Sequence, residues 1–209
     1  MTSIKPLTKN ELKECFRVYR EAFPDWDADA PYVLQRTCGP ITQTIGFQSL
    51  SYGAYRPSCG VRVVGPPDGG SGVLPQMLDV KHREVRRREH VEKWPKVLRA
   101  IEEQFVPDVR KPLDIAEVLR LAEKSAERDG RFKTRESNGL ATLNVHMGHD
   151  ARAIEWCDRA EASFKEFAEA TPPPDWMLKQ IEFTRRLSDA VRDGRGREFL
   201  TSVADQSSE

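Results

Sequence analysis

A chain of 209 residues, 38% apolar and 32% charged, can bury a core without disulfides or metal clips. No apolar run approaches the roughly 20 residues needed to cross a bilayer. Thirty-three basic residues balance 33 acidic ones, which argues against a dedicated nucleic-acid binder, where basic charge normally gathers in surplus on one face. The opening MTSIKPLTKNELKE is charged throughout and has no apolar h-region, so it does not read as a secretory signal and the expected compartment is the cytoplasm.

Thr8-Lys9-Asn10-Glu11 has the form of a capping box. Leu12, Cys15, Phe16, Tyr19 and Phe23 follow at helical spacing, which predicts a first helix over 9–23, closed by Pro24. The acidic stretch DWDADAP, 25–31, reads as a loop. Strand texture then begins: 32–37, 41–50, 52–56 and 59–65 are rich in Val, Ile, Thr and Tyr, with turns expected at Gly39-Pro40 and Arg56-Pro57. Connections this short make an antiparallel meander. GPPDGGSG, 65–72, reads as a flexible loop, and 74–85 as a further strand.

From about Glu89 the pattern is helical. Val91, Trp94, Val97, Leu98, Ile101 and Phe105 form one apolar face, with Pro95 tolerated near the helix start. Asp114 caps a helix that turns Ile115, Val118, Leu119, Leu121 and Ala122 inward and ends by Gly130. Further helices are expected over 135–147, stopping at Gly148, over 150–170, capped by Asp150 and stopped by TPPPD, over 175–192, and in the tail GREFLTSV. The fold class is α+β: an N-terminal helix, an antiparallel β-meander, then helices ending in a hairpin like that of tetratricopeptide repeats. The expected domains are an α+β domain over 1–110 and a helical block over 111–209 packed on it. In the hairpin, small residues at Ala141, Gly148, Ala153 and Ala160 let two helices approach closely. One unit alone makes a packed hairpin and not a solenoid.

Candidate chemistry is sparse. KHREVRRREH, 81–90, sets five basic side chains besides its histidines against two acids. At helical spacing Arg83, Arg87 and His90 share a side, and Glu84 and Glu89 lie close enough along the chain to neutralise part of the charge. The aromatic interleaving of a single-strand groove is absent, so guanidinium forks meeting carboxylates are the better functional reading. HMGHD, 146–150, with Cys157 beyond it, lacks the second ligand pair of a zinc site. Asp25, Asp27 and Asp29 around Trp26 lack the Gly and Glu that complete an EF-hand loop. They read as an acidic face with an aromatic anchor. The sequence has neither a G-x-S-x-G elbow nor a phosphate-binding G-x-x-x-x-G-K-[ST] loop. No catalytic, cofactor-binding or metal-ligating residue is therefore assigned. Cys15, Cys38, Cys59 and Cys157 read as buried small hydrophobes, with Cys38 and Cys59 in neighbouring strands.

Gly46-Phe47 in the meander, Trp94 near a helix start, the run Asp114 to Leu119, and Gly148 with Ala153 form an order that resembles an uncharacterised family of bacterial α+β proteins often encoded beside polymorphic toxins. The resemblance implies an immunity protein of the contact-dependent growth-inhibition type. Such a protein is not an enzyme; it occludes a cognate toxin domain. A nuclease toxin with a basic cleft would select Asp25, Trp26, Asp27 and Asp29 as contacts, and an acidic toxin would select Arg83, Arg86, Arg87 and Arg88. An interaction adaptor using the helical hairpin and an enzyme of unrecognised type remain the alternatives.

Overall fold

A computed structural model describes residues 6–30, 32–67, 71–78, 84–129 and 134–206. The architecture is α+β, and the first helix begins as the sequence predicts. In α1 (Lys9–Ala22) the Thr8 Oγ1 accepts from the Glu11 N–H at 3.4 Å, and the Thr8 N–H donates to the Glu11 carboxylate at 2.7 Å. This reciprocal cap satisfies two donors that a helix start leaves orphaned.

The strands run β1 (Asp27–Ala30), β2 (Val33–Cys38), β3 (Ile41–Leu50), β4 (Ala54–Val63), β5 (Ser71–Met77) and β6 (Val85–Arg86). They pair as an antiparallel meander in the order β1-β2-β3-β4-β5, with β6 also on β4. Three expectations change here. The acidic stretch is a strand and not a loop: β1 pairs with β2 through Asp27↔Gln35 and Ala30↔Val33. Asp and Ala are weak strand formers, so the pairing demand of β2's free edge overrides propensity. Charge on an edge strand also discourages pairing with another chain. Second, Arg56-Pro57 is no turn, since β4 runs through it. Proline's fixed φ suits extended backbone, and the only loss is its own N–H. Third, β5 begins at Ser71, inside the expected loop, and residues 68–70 lie outside the described set.

The helices are α2 (His90–Gln104), α3 (Ile115–Asp129), α4 (Thr134–Met147), α5 (Asp150–Ala170), α6 (Asp175–Arg192) and α7 (Gly196–Gln206). Pro95 lies inside α2. The carbonyl that loses its partner belongs to Val91, an exposed residue, where water can replace the bond. Asp114 caps α3, its Oδ1 accepting from the Ala116 N–H at 3.1 Å. Asp150 is not the cap of α5; that position is His149, and Asp150 lies in the first turn, where its charge suits the helix dipole. Among the described residues no helix is long and apolar enough to cross a membrane.

The chain divides into two compact units: Met1–Thr37, Gln43–Gly60 and Pro75–Leu113 form the first, and Cys38–Thr42, Val61–Leu74 and Asp114–Glu209 the second. The break at Leu113 falls near the expected boundary, but the helical unit also takes two stretches of the strand region. The first unit's core joins α1, the strands and α2. Fully buried Tyr19 lies among Phe16, Phe47, Tyr55 and Trp94, with ring centroids 4.3–6.3 Å away. Rings buried this completely contribute about 1.5–3 kcal/mol each.

In the second unit α4 is buried nearly all round, and Ala141, Ala153 and Ala160 are wholly inaccessible. Three contacts show why 61–74 belongs with these helices. Gln180 Nε2 donates to the Pro67 carbonyl at 2.8 Å. Gly65 lies against Thr142 and Leu200, and Gly139 backs onto Ser71 and Val73 so closely that a Cβ would fall 2.5 Å from Val73 Cγ1. A buried polar network completes the unit: Asn138 Nδ2 donates to Gln180 Oε1 at 2.8 Å, and Thr184 Oγ1 donates to Asn138 Oδ1 at 2.6 Å.

Candidate functional site

The arginine run does not form one helix. β6 pairs with β4 through Ala54↔Arg86 and Tyr55↔Val85, and Val85 is fully buried. A 3-10 turn, Arg87–Glu89, then leads into α2 at His90. Strand pairing thus takes over the segment before helical periodicity can act. Lys81, His82 and Arg83 lie outside the described residues.

This geometry gathers Arg86, Arg87, Arg88, His90 and Val91 with Glu14, Cys15, Arg17 and Val18 of α1 and with Tyr52 and Gly53. Together they line a groove of about 820 Å³ within the first unit. Four arginines face one glutamate in that lining. Glu84 and Glu89 each form an ion pair outside the run, while Glu89 still meets the charges of Arg86 and Arg88 through space. Glu84 pairs with Arg56 at 3.0 Å, and Glu89 with Lys93 at 2.8 Å, which together with the hydrogen bond holds the Glu89 carboxyl below its usual range. Arg87 is neutralised instead from α1, by Glu11 at 3.0 Å and Glu14 at 3.3 Å. Arg17 pairs with Glu21 at 3.1 Å. Arg86 and Arg88 are exposed and form no ion pair among the described residues.

The inner wall of the groove is buried. Cys15 is 2% exposed, and burial pushes its thiol up to about 11, so it is protonated at neutral pH and lines the groove as an apolar group. His90 is 7% exposed and is fixed by a 2.7 Å hydrogen bond between its Nδ1 and the Tyr55 hydroxyl. Its Nε2 is buried and has no hydrogen-bond partner. Burial lowers the His90 pKa, which keeps the ring neutral at pH 7. The rim is apolar on one side, where Val91 is 86% exposed, and Tyr52 stands partly exposed.

The acidic segment presents a different picture. Asp25 and Asp27 are exposed, and the Asp29 side chain lies outside the described set. Trp26 is a core residue at 9% exposure, packed against Phe23 with centroids 5.7 Å apart and covered by the Arg36 guanidinium at 4.8 Å. Its ring area is committed within the fold and is not free to anchor a partner.

Sequence reading missed Glu14, Arg17, Tyr52 and Val91 as groove residues, and Glu11 as a partner of Arg87. Glu11, Glu14 and Arg17 recur at three-residue spacing opposite the apolar stripe of α1, a signal visible in the sequence. The approach of β6 to that face was not visible. Among the described residues no group of three or more His, Cys, Asp or Glu side chains converges to hold a metal ion, and the four cysteines are free thiols, Cys38 half-buried and the others buried. No family model, curated protein or solved structure matches this chain.

Proposed function

We propose that the chain is a binding protein that neutralises a cognate toxin domain, in the manner of an immunity protein, and that the groove beside α1 is its contact face. One observation carries this reading: Arg86 and Arg88 stand exposed beside Val91 and Tyr52 and form no ion pair among the described residues. A basic surface with an apolar rim, backed by a packed aromatic core, suits an acidic protein surface. Charge there accelerates encounter, and the apolar rim slows release. Of the two charged segments the arginines are favoured, because Trp26 is spent in the core.

The test is co-expression of this chain with the product of the adjacent reading frame, scored by growth, followed by size-exclusion chromatography of the pair. Rescue through a stoichiometric complex, weakened by R86E/R88E, supports the reading. Toxicity with neither rescue nor complex refutes it.

A second reading, an adaptor using the helical hairpins, draws on Phe167, Trp176 and Leu178, which are 39%, 44% and 45% exposed around the corner joining α5 to α6. A partner captured through that corner would be lost in W176A/L178A and unaffected by R86E/R88E.

A further inference from the structure

We propose that the groove recognises a short extended segment of a partner protein in which one aliphatic side chain stands next to acidic residues. The aliphatic group seats between Val18 and Val91, and the carboxylates meet the Arg86 and Arg88 guanidiniums. The proposal rests on reading the groove as a contact face, but not on the partner's being a toxin.

The two walls differ in charge, and the difference sets the orientation. Glu14, Arg17 and Val18 line the α1 wall. The cations on that side are already matched: Arg17 holds Glu21, and Arg87 holds Glu11 and Glu14. The opposite wall carries Arg86, Arg88 and Val91, all exposed. Neither arginine forms an ion pair among the described residues. Glu89, whose charge reaches them through space, is held by Lys93. Positive charge is therefore left over on the Arg86–Arg88 wall, while Glu14 repels an anion from the other. Val91, 86% exposed, and half-buried Val18 supply apolar surface from the two walls. The floor beneath adds no charge, because burial keeps Cys15 protonated and His90 neutral at pH 7.

From Glu14 to Val18 the α1 wall spans about one helical turn, roughly 6 Å at about 1.5 Å per residue. An extended chain rises about 3.3 Å per residue, so roughly two or three partner residues lie along it. That room suits one aliphatic side chain and its acidic neighbours, not several turns of helix. Carboxylates match guanidiniums in paired hydrogen bonds, and an aliphatic group over the valines takes apolar surface out of water. A nucleic-acid strand fits less well. Among the described residues Tyr52 is the only Phe, Tyr or Trp in the lining, and its hydroxyl is tied to Glu84, whereas single strands stack on successive rings.

The experiment is an NMR titration of the full chain with acetyl-Glu-Glu-Leu-Glu-Glu amide, read at the Val18 and Val91 methyls and the Arg86 and Arg88 side-chain N–H signals. The controls are the same peptide with glutamine for glutamate, the same peptide with serine for leucine, and a thymidine oligonucleotide of equal charge. Saturable shifts at all four residues are expected, with affinity falling about tenfold for either altered peptide and falling as salt rises. Val91→Ser and Arg88→Gln, both at exposed positions, should each weaken binding about tenfold. Glu14→Gln should tighten it about threefold, because it removes a like charge and releases Arg87. Equal binding of the serine peptide overturns the aliphatic seat, and equal binding of the glutamine peptide overturns the arginine contact. Tighter binding of the oligonucleotide overturns the protein partner. Saturation with Val91 unmoved, or full affinity in Val91→Ser, overturns the site. Peptide binding in the groove without toxin rescue would keep the recognition element and remove the toxin; rescue through a complex sensitive to R86E/R88E, with no peptide binding, would do the reverse.

Discussion

Replacing Glu123 with alanine should loosen the second unit more than any exposed carboxylate would suggest. Its Oε1 accepts from Trp156 Nε1 at 2.8 Å, Arg152 Nε at 3.0 Å and Asn144 Nδ2 at 3.2 Å, which joins α3 to α4 and α5. Asn144 keeps a second acceptor, the Leu140 carbonyl at 2.9 Å, and Arg152 keeps Glu127 at 2.9 Å and Glu155 at 2.6 Å. The heaviest loss falls on Trp156, which is fully buried between the Arg152 and Arg159 guanidiniums. An orphaned buried N–H costs about 1–3 kcal/mol, and the partly buried Glu123–Arg152 pair adds about 0.5–1 kcal/mol. Alanine's better helix propensity returns a few tenths. The net is about 1–4 kcal/mol, or roughly 2–15 °C in Tm for a chain of this size.

Circular-dichroism melting and the Trp156 indole resonance report the two halves of that argument. Burial pushes the Glu123 carboxyl up, but the hydrogen bonds from Trp156, Arg152 and Asn144 outweigh it and hold it below the usual carboxylate range. A carboxylate held low stabilises above its unfolded value of about 4.3 and loses that contribution as pH falls through the folded value. Glu123→Gln, which keeps an acceptor for Trp156, should cost less than Glu123→Ala at pH 7, and its deficit should shrink as pH falls through the folded value. A Glu123→Ala protein that melts within a degree of wild type with an unmoved Trp156 resonance would refute the reasoning.

Three further outcomes are expected. Gly139→Ala gains helix propensity yet sets its Cβ 2.5 Å from Val73 Cγ1 and 3.0 Å from Ser71 Cβ; denaturant titration should show a net loss of about 1–3 kcal/mol, partly relieved by Val73→Ala. Burial lowers the His90 pKa, so the unfolded chain binds a proton that the folded chain refuses. Stability should fall as pH drops below about 6.5 and level off below the folded value, a slope that His90→Asn should reduce and that His146, whose pKa burial and Arg197 also lower, should sustain in part. Trp26→Ala should cost about 3–5 kcal/mol in denaturant titration, because the ring is packed on Phe23 and under Arg36; a loss below 1 kcal/mol would restore the exposed-anchor reading.

Most elements were legible because one signal sufficed for each. The Thr8–Glu11 box and the apolar stripe from Leu12 to Tyr19 dictate α1, and Gly39, with φ of 53°, supplies the turn between β2 and β3. Gly148, with φ of 76°, ends α4 as a residue free to turn left-handed must. The failures share a cause: the deciding partner lies far away in sequence. Asp27–Ala30 becomes strand because β2 needs a neighbour, and Pro57 stays in β4 because its neighbours hold the strand on both sides. Residues 61–74 join the helical unit through Gln180, Gly139 and Thr142, none of which periodicity can connect to them.

The arginine run shows the same limit in electrostatic form. Counting neighbours along KHREVRRREH pairs its arginines with Glu84 and Glu89, and the run then reads as a self-neutralised face. The fold gives both acids ion pairs outside the run, Glu84 with Arg56 and Glu89 with Lys93, although Glu89 still meets the charges of Arg86 and Arg88 through space. Arg87 finds carboxylate partners on α1. Zero net charge therefore coexists with a local surplus at Arg86 and Arg88, because pairing follows the fold and not the order of residues. Exposed pairs of this kind are each worth at most about 1 kcal/mol, so stability alone does not explain the arrangement. The exposed guanidiniums of Arg86 and Arg88 are therefore the feature on which the proposed acidic partner rests.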